Sequence, residues 1–247
     1  MTKSALVIGA SSGIGAALSE RLAERGYRVA MVARRLPELE ALRTRCEAKS
    51  GSALHRIYSH DVRDHAAVPA LFSRIVADLG GLDLVIYAAG RLERVAKDEY
   101  DFAKDLPVLD IGLLGAVAWL NEAAKDLAQR GRGSICGISS IAGDRGRRAY
   151  PAYHAAKAGL DTYLESLRNR LHPRGVHVCT IKPGFIDTDM TRGMPGLFWL
   201  ISPDQAARSI LAAIDRRRQK AYVPARWALV GLVIRNIPSF LFRRMDL

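Results

Sequence analysis

The sequence predicts one α/β domain, a doubly wound parallel sheet of about seven strands (Rossmann), with a short apolar and basic C-terminal extension. Three observations predict this fold. Short runs rich in β-branched residues alternate with longer amphipathic stretches, as in consecutive βαβ units. Runs such as Leu84-Val85-Ile86 are apolar without alternation, as expected of strands that are covered on both faces. Right-handed crossovers between such strands give a doubly wound sheet.

The predicted elements follow each other along the whole chain. Strands are predicted at about residues 4–9, 28–33, 54–59, 83–88, 133–139, 176–182 and 220–223. Helices are predicted at about residues 13–26, 36–49, 64–79, 100–130, 151–172 and 203–218. Because no repeat, low-complexity tract or linker interrupts this order, residues 1–247 are predicted to form a single domain.

Composition limits the class of protein. The 247 residues are 49% hydrophobic and 25% charged, which is ordinary for a globular domain with a full core. Cys46, Cys136 and Cys179 lack a metal-type spacing and leave one cysteine over, so we expect reduced thiols in the cytoplasm and no metal site. The sequence shows no signal peptide pattern and no run of about 18 apolar residues, so we expect neither export nor a membrane span.

The first predicted strand leads into a glycine-rich turn that opens the first helix. The turn reads Gly9-Ala10-Ser11-Ser12-Gly13-Ile14-Gly15. Glycines let the backbone approach a ligand closely, and a helix N-terminus offers free N–H groups and a positive dipole to a pyrophosphate. The spacing differs from the commoner G-x-G-x-x-G pattern, and Ser-Ser-Gly is also a good helix cap. A nucleotide site and a simple capped turn therefore both stay open.

The second predicted strand ends in two arginines, Arg34 and Arg35. An acidic residue at this place would bond the ribose 2′-hydroxyl of NAD, whereas arginine suits the 2′-phosphate of NADP. Arg34 therefore favours NADP(H). The alternative is that both arginines only solvate a loop, and Arg35 is the weaker candidate of the two.

A tyrosine and a lysine lie one helical turn apart in the predicted helix 151–172. In Tyr153-His154-Ala155-Ala156-Lys157 the two side chains share a face, because residues four apart are neighbours on a helix. A nearby cation favours phenolate, so we expect Tyr153 to donate or accept a proton near neutral pH. With a dinucleotide site, such a group predicts redox chemistry between carbonyls and alcohols.

Further short segments follow the other predicted strands in a fixed order. They are Asp61-Val62 after the third strand, Tyr87-Ala88-Ala89-Gly90 after the fourth, Ser139-Ser140 after the fifth, and Pro183-Gly184-Phe185-Ile186-Asp187-Thr188 after the sixth. Together with the glycine-rich turn and the tyrosine–lysine pair, this series resembles the short-chain dehydrogenase/reductase family, single-domain type, over nearly the whole chain.

The resemblance implies an oxidoreductase that transfers a hydride between NADP(H) and a carbonyl or secondary alcohol. Ser140 would polarise the carbonyl, Tyr153 would act as general acid/base, and Lys157 would hold the nicotinamide ribose and lower the pKa of Tyr153. Donors placed before the reaction also suit the negative charge that hydride transfer builds on oxygen. The implied cofactor contacts are Gly9, Ser11, Ser12, Gly13, Ile14, Gly15, Arg34, Arg35, Asp61, Val62, Ala88, Ala89, Gly90, Tyr153, Lys157, Pro183, Gly184, Ile186 and Thr188.

Two positions depart from the pattern of the family. Gly112 stands where the family usually has an asparagine that holds a water in a proton relay from Lys157 to solvent. Glycine inside a helix also costs about 1 kcal/mol. Tyr87 replaces the first asparagine of an Asn-Asn-Ala-Gly stretch, which affects support of the strand more than the chemistry. The serine, tyrosine and lysine are intact, so an enzyme is predicted; the alternative is a non-catalytic dinucleotide-binding sensor or assembly protein.

Two apolar segments follow the last motif. Residues 189–201, with Phe198 and Trp199, correspond to the substrate lid of the family and favour a hydrophobic small-molecule substrate, with packing on the core as the alternative. The tail, residues 224–247, is an apolar run flanked by arginines, which Pro238 divides into two short segments. It is expected either to pack on its own or a partner subunit, or to contact an anionic membrane from the cytoplasm.

The formal charge of +12 is concentrated near the C-terminus. From Arg208 onward the chain contains nine arginines and lysines and two aspartates, which gives a net charge of +7. Such a region attracts anions, but no basic motif interleaved with aromatic residues predicts nucleic-acid binding. The resemblance implies a homodimer or homotetramer, with helices 100–130 and 151–172 at the subunit contact.

Overall fold

One parallel sheet forms the centre of the protein. The computed structural model describes residues 2–96 and 98–245, so Met1, Lys97, Asp246 and Leu247 lie outside the described residues, as do the ends of the predicted domain 1–247 and of the tail 224–247. The strands are β1 (Ser4–Ile8), β2 (Arg28–Ala33), β3 (Arg56–Ser59), β4 (Leu84–Tyr87), β5 (Ser134–Ile138), β6 (His177–Pro183) and β7 (Lys220–Val223). They are all parallel, in the order β3-β2-β1-β4-β5-β6-β7, which confirms the predicted fold class.

Helices cover both faces of this sheet. They are α1 (Gly13–Glu24), α2 (Leu36–Ser50), α3 (Val68–Leu79), α4 (Phe102–Leu109), α5 (Gly115–Arg130), α6 (Pro151–Leu171), α7 (Pro203–Asp215), α8 (Trp227–Asn236) and α9 (Ser239–Phe242). The core on one face contains side chains of α1, α2 and α7, and the core on the other face contains side chains of α3, α5 and α6. Alternate residues of β1 from Ala5 to Ile8 pack in the two cores, so the whole strand is buried and its sequence is apolar after Ser4.

The connections of the sheet reverse direction between two central strands. β1 lies between β2 and β4, so the chain winds outward from β1 on one side and from β4 on the other. Ile8 pairs with Tyr87, which brings the carboxyl ends of these two strands side by side. In open α/β sheets a ligand binds in the crevice outside the strand ends at this reversal. The glycine-rich turn follows β1, and residues 88–90 follow β4, at this place.

The predicted helix 100–130 is divided into three parts. α4 contains Pro107 and is followed by one wide, π-helical turn, Asp110–Leu114, before α5 continues to Arg130. The prediction of one uninterrupted α-helix was therefore wrong at its centre. Proline cannot donate a hydrogen bond to the preceding turn, and a π turn inserts an extra residue into the helical ladder.

The segment Phe102–Arg130 is also long and apolar enough, by length and composition alone, to cross a membrane. Buried core helices pass the same test. Trp119, Leu120 and Leu127 of this segment are fully buried in the core on the α3–α5–α6 face of the sheet. We therefore describe it as a core helix of the fold.

Other boundaries differ from the predictions by a few residues. The predicted helix 64–79 begins with a short 3₁₀ turn, His65–Ala67, in which the Ala67 amide donates a hydrogen bond to the Asp64 carboxylate, and becomes α-helical at Val68. The predicted helix 13–26 ends at Glu24, because Gly26 adopts a φ of +78°. In the tail, Pro238 separates α8 from α9, as predicted.

Candidate active site

The glycine-rich turn lies against the end of β4. Gly9 has a φ of +89°, and a Cβ atom placed on it would lie 2.4 Å from the amide nitrogen of Ala89. A Cβ on Gly15 would lie 2.1 Å from the carbonyl oxygen of Gly9. A side chain at either position would force the turn away from the strand ends, so glycine is required for this close approach.

The start of α1 is open to a ligand. Ser12 is the N-cap residue, but its side chain makes no capping hydrogen bond, and the first turn of α1 contains no acidic residue. The amides of this turn are therefore free to bind an anion. This observation favours the nucleotide site over the capped turn, and the residues present fit a dinucleotide pyrophosphate.

Two arginines border the same end of the cleft. Arg35 donates a hydrogen bond to the Ser11 hydroxyl at 3.0 Å, and Arg34 lies 3.9 Å from the Asp61 carboxylate with about half of its side chain exposed. Arg63 binds Asp61 more closely, at 2.6 Å, and this contact lowers the pKa of Asp61 to about 2. Arg34 is thus held only loosely by its acidic neighbour, while Arg35 is attached to the glycine-rich turn.

Ser140 begins the short 3₁₀ turn Ile141–Asp144 that follows β5. Its hydroxyl oxygen accepts a hydrogen bond from the Ala142 amide at 3.1 Å, so the alternative of a turn cap is part of what this serine does. The O–H proton stays available to a substrate oxygen. His154 binds the Ala142 carbonyl at 2.7 Å, which ties the turn to α6 next to Tyr153. Because a carbonyl can only accept, the Nδ1 of His154 carries the proton in this contact.

The predicted tyrosine–lysine pair is present on α6. The amine of Lys157 is buried, lies 5.7 Å from the centre of the Tyr153 ring, and donates a hydrogen bond to the Ile138 carbonyl at 2.9 Å. A Cβ on Gly90 would lie 3.6 Å from this amine, so Lys157 reaches across to the residues that follow β4. The serine, tyrosine and lysine predicted from separate motifs therefore meet at the ends of neighbouring strands.

The protonation of this pair differs from the expectation. Burial raises the pKa of the Tyr153 phenol, although the Ser140 hydroxyl and the Arg147 charge act in the opposite direction. The expectation that Lys157 lowers the pKa of this phenol was wrong, because burial is the largest influence on the phenol and raises its pKa. Burial also lowers the pKa of Lys157 to about 8, because the same loss of water that favours the neutral phenol disfavours the charged amine.

These residues surround one cavity of about 810 Å³. It extends from the glycine-rich turn past Tyr153 to the lid and the tail. Every predicted site residue lines it except Asp61, which is turned toward Arg63 and Arg34 at its edge. The neighbours of Asp61 in the chain, His60 and Val62, do line the cavity.

The two departures from the expected pattern are close together in space. Tyr87 is fully buried, and its hydroxyl donates a hydrogen bond of 2.6 Å to the Ile111 carbonyl in the π turn beside Gly112. A Cβ on Gly112 would lie 3.1 Å from the Cβ of Ala156 on α6. Tyr87 therefore holds the helix where Gly112 has no side chain to do so, and Gly112 lets the helix lie close to α6.

The tail contributes a wall of the cavity that the sequence did not predict. Trp227, Val230, Val233, Ile234 and Ile237 line the cavity together with Phe198 of the lid. Their apolar spacing indicated a helix but not which surface it covers, because the tail returns to the site from the far edge of the sheet. Trp227 and Gly231 are buried, so the inner face of α8 packs on its own subunit. Such packing was one of the two alternatives for the tail.

Aromatic rings join the lid to the tail. Trp227 stacks on Phe198 with ring centres 5.0 Å apart, and it meets Phe185 and Trp199 edge to face at 5.3 and 5.7 Å. Such pairs add to the stabilisation that burial alone provides. Lid and tail are therefore one aromatic cluster, made of Phe185, Phe198, Trp199 and Trp227.

A buried charge network fixes the start of the tail. Lys182 of β6 binds Asp144 at 2.5 Å and also binds Asp161 of α6. Tyr222 donates a hydrogen bond to Asp144 at 2.9 Å, and Arg235 of α8 lies 3.1 Å from the same carboxylate. Because Asp144 ends the turn that Ser140 begins, this network connects α8 to the side of the cavity where Ser140 lies.

The family model described as short chain dehydrogenase matches residues 3–195 of the chain. An uncharacterized oxidoreductase of Myxococcus xanthus is 39% identical over 242 residues, which cover 97% of this chain and 94% of that protein. Carbonyl reductase family member 4 of Xenopus tropicalis is 32% identical over 224 residues, 87% of this chain and 92% of that protein.

A similar solved structure is a variant of actinorhodin polyketide ketoreductase with NADPH. It is 25% identical to this chain, with a TM-score of 0.78, and the match covers 86% of this chain and 90% of that one. The chain is thus similar over most of its length to short-chain dehydrogenases and to oxidoreductases, and it shares the fold of the ketoreductase.

Proposed function

Because this chain belongs to the short-chain dehydrogenase family, whose oxidoreductases use nicotinamide cofactors, we propose that it transfers a hydride between NADP(H) and a carbonyl or secondary alcohol of an apolar substrate. The observation that supports this most strongly is the meeting of Ser140, Tyr153 and Lys157 on one wall of the cavity that begins at the glycine-rich turn. When bound, the nicotinamide supplies or accepts the hydride.

In this proposal the residues act on the oxygen of the substrate. The Ser140 hydroxyl and the Tyr153 phenol donate hydrogen bonds to the carbonyl oxygen, where negative charge develops. Tyr153 then gives its proton to that oxygen in reduction and accepts it back in oxidation. Its raised pKa keeps the phenol protonated at neutral pH, which favours the role of acid in reduction.

The glycine-rich turn and the free start of α1 are proposed to hold the pyrophosphate of the cofactor. Val62, Ala88, Ala89 and Gly90 would line the nucleoside, and residues 183–188 would contact the carboxamide end. Lys157 would hold the nicotinamide ribose, since only one of its three N–H groups is used by the Ile138 carbonyl. Asp61 would act from the edge, through Arg34.

NADP(H) rather than NAD(H) is supported by Arg34 and Arg35 at the end of β2. Both line the cavity beside the glycine-rich turn, and Arg34 keeps about half of its side chain exposed. A guanidinium binds a phosphate with two parallel hydrogen bonds. The NADPH of the similar ketoreductase structure agrees with this choice but belongs to that protein.

An apolar small-molecule substrate is supported by the lining of the outer cavity. Phe198 of the lid, residues 189–201, lies opposite Val230, Val233 and Ile234 of α8. These side chains offer hydrocarbon rather than hydrogen bonds to a ligand. The names of the carbonyl reductase and the ketoreductase agree with a carbonyl group as the reacting centre.

Two exposed apolar surfaces support further proposals about partners. Phe102 and Leu106 of α4 are exposed next to the core helices, which supports a homodimer or homotetramer through this side. Leu229 and Leu232 on the outer face of α8 are exposed between arginines, which supports contact of the tail with an anionic membrane. Both contacts are proposed for an enzyme that acts in the cytoplasm.

The test of the proposed reaction compares the wild type with Tyr153→Phe. NADPH oxidation is followed with a panel of apolar ketones and aldehydes, and NADPH binding is measured separately by titration. We expect turnover to fall by about 10²–10⁴-fold while NADPH still binds, because the substitution removes only the proton donor. Equal background rates for both proteins, with NADPH bound, would favour the non-catalytic sensor.

A further inference from the structure

One arginine in the cavity wall has neither an ion pair nor a hydrogen bond with the part of the chain that the structure describes. Arg147 lies three residues beyond the turn that Ser140 begins, and it lines the cavity together with Tyr153. Burial lowers the pKa of its guanidinium, with the Tyr153 phenol as an opposing influence. Arg147 is half-buried, and its guanidinium N–H groups have no acceptor in the described structure, so this position is suited to receiving an anion.

The neighbouring arginines are already used by the tail. Arg145 donates a hydrogen bond to a carbonyl of α8 at 2.9 Å, and its guanidinium lies 4.0 Å from the centre of the Phe242 ring. Arg148 donates a hydrogen bond to the Arg243 carbonyl at 3.0 Å. Arg147 differs from both because it is directed to the cavity and keeps its donors for another molecule.

The acidic groups near this position are also engaged. Asp189 is the one carboxylate among the described residues that line the cavity, and it pairs with Arg192 at 2.8 Å. Asp144, three residues before Arg147, is held by Lys182 at 2.5 Å. The protein itself thus supplies no free anion to neutralise Arg147 in the described structure.

The apolar part of the cavity lining determines what the rest of the ligand can be. The same cavity is lined by Ile141, Phe198, Trp227 and Ile237. A molecule that fills this space must carry hydrocarbon for most of its length and one anionic group. A carboxylate suits the guanidinium best, because its two oxygens match two parallel N–H donors.

We propose that Arg147 binds a carboxylate of the substrate, so that the substrate class is an apolar carbonyl compound that also carries an acid group. This inference rests on the proposed reductase function, and it names the group that orients the substrate in the cavity. The carbonyl lies at Ser140 and Tyr153, while the carboxylate lies at Arg147. The apolar lining between lid and tail covers the remainder.

The experiment uses two pairs of compounds that differ only in charge. They are benzoylformate and its methyl ester, and 4-acetylbenzoate and its methyl ester, which place the acid group at two distances from the carbonyl. Each compound is assayed with NADPH and the wild type, Arg147→Met, Arg147→Lys and Arg170→Met. Arg170 lies on the exposed side of α6, outside the cavity, so its variant is a control for the loss of one positive charge.

We expect the wild type to prefer the acid over the ester in at least one pair. Arg147→Met should raise the KM of that acid on the order of 10- to 100-fold and leave that of the ester unchanged, as expected for loss of a hydrogen-bonded ion pair. Arg147→Lys should keep part of the preference, and Arg170→Met all of it. Because acid and ester both react at Tyr153, any effect of the Arg147 charge on the phenol cancels in their ratio.

Binding of the four compounds to the protein with NADP⁺ is measured in parallel by isothermal titration calorimetry. An acid-to-ester ratio that is the same in the wild type and Arg147→Met, in turnover and in binding, would overturn the inference. Failure of the proposed reaction looks different, since no compound would then oxidise NADPH while the binding measurements still report on the carboxylate. Thermal unfolding of each variant shows that it is folded before it is compared.

Discussion

At the scale of single residues, the cations of the site differ in how far burial removes them from water. Lys157 is buried, and its pKa falls to about 8 although Asp161 acts to raise it. Arg34, in contrast, keeps about half of its side chain in solvent. Burial thus sets the pKa of Lys157, whereas Arg34 is accessible to a ligand from solvent.

The lowered pKa of Lys157 predicts a change of stability with pH. The unfolded chain holds this proton up to a pH near 10.5, the folded protein only up to about 8, so between these values the unfolded state binds more protons and stability rises with pH. We expect the free energy of unfolding of the wild type, relative to Lys157→Met, to increase from pH 8 to 10.5 in urea titrations without cofactor. Parallel curves over this range would contradict the assignment.

The proposed role of Arg34 predicts a selective loss of affinity. Arg34→Gln should weaken NADPH binding by about 10- to 100-fold, the size of a hydrogen bond to a charged group, and leave NADH binding unchanged. The measurement is titration of both cofactors by fluorescence. Arg56→Gln on β3, exposed and outside the cavity, removes the same charge and should change neither affinity. Equal losses for NADPH and NADH in Arg34→Gln would contradict recognition of the 2′-phosphate.

At the scale of elements, the π turn between α4 and α5 is held from the sheet. The Tyr87 hydroxyl binds the Ile111 carbonyl, and Gly115 leaves room for it, since a Cβ there would lie 2.7 Å from that hydroxyl. A tyrosine at the end of β4 and glycines in the next helix therefore form one arrangement. The helix is thus held by a side chain of β4 rather than by a side chain at Gly112.

Tyr87→Phe is expected to destabilise the fold by about 1–3 kcal/mol, because it leaves a buried carbonyl without its donor. Urea unfolding followed by circular dichroism measures this change. Tyr100→Phe is the matched control, since the Tyr100 side chain is 94% exposed and loses little with its hydroxyl. If both variants were equally stable, the hydrogen bond to the π turn would not contribute.

The elements themselves could be predicted because their signals are local. The buried strand β1 and the glycine-rich turn after it depend on neighbouring residues, and the strand ends then bring Tyr153 and Ser140 together by topology alone. The link between Tyr87 and Gly112 could not be predicted, because it joins side chain and backbone across separate elements. The pKa of Tyr153 was misjudged for a related reason: the sequence shows the lysine four residues away but not the depth of burial.

At the scale of the whole molecule, the charge of the chain and the position of the tail are connected. Of the nine arginines and lysines from Arg208 onward, four lie in the tail whose helix α8 lines the cavity: Arg226, Arg235, Arg243 and Arg244. The inner face of α8 is buried against the protein, while Leu229 and Leu232 on the outer face are exposed at 66% and 53%. The sequence predicted an apolar helix with arginines, but only the fold shows which face remains free.

The outer face of α8 predicts binding to anionic vesicles. The wild type should float with phosphatidylglycerol vesicles but not with phosphatidylcholine vesicles, because apolar side chains and arginines act together at a charged surface. Leu229→Ser with Leu232→Ser should abolish flotation, whereas Leu36→Ser with Leu54→Ser, two exposed leucines elsewhere, should not. A wild type that remains in the soluble fraction with anionic vesicles would remove the proposal.

The aromatic cluster of lid and tail has a consequence for how molecules enter and leave. Outward movement of Phe198 would separate its ring from that of Trp227, so this stacked pair holds the lid and α8 to each other. In the proposed reaction, exchange of product for new reactant past the lid would break this contact, and opening of the lid limits each catalytic cycle wherever it is slower than chemistry. A partner that binds the tail would therefore also change the rate at which the cavity opens.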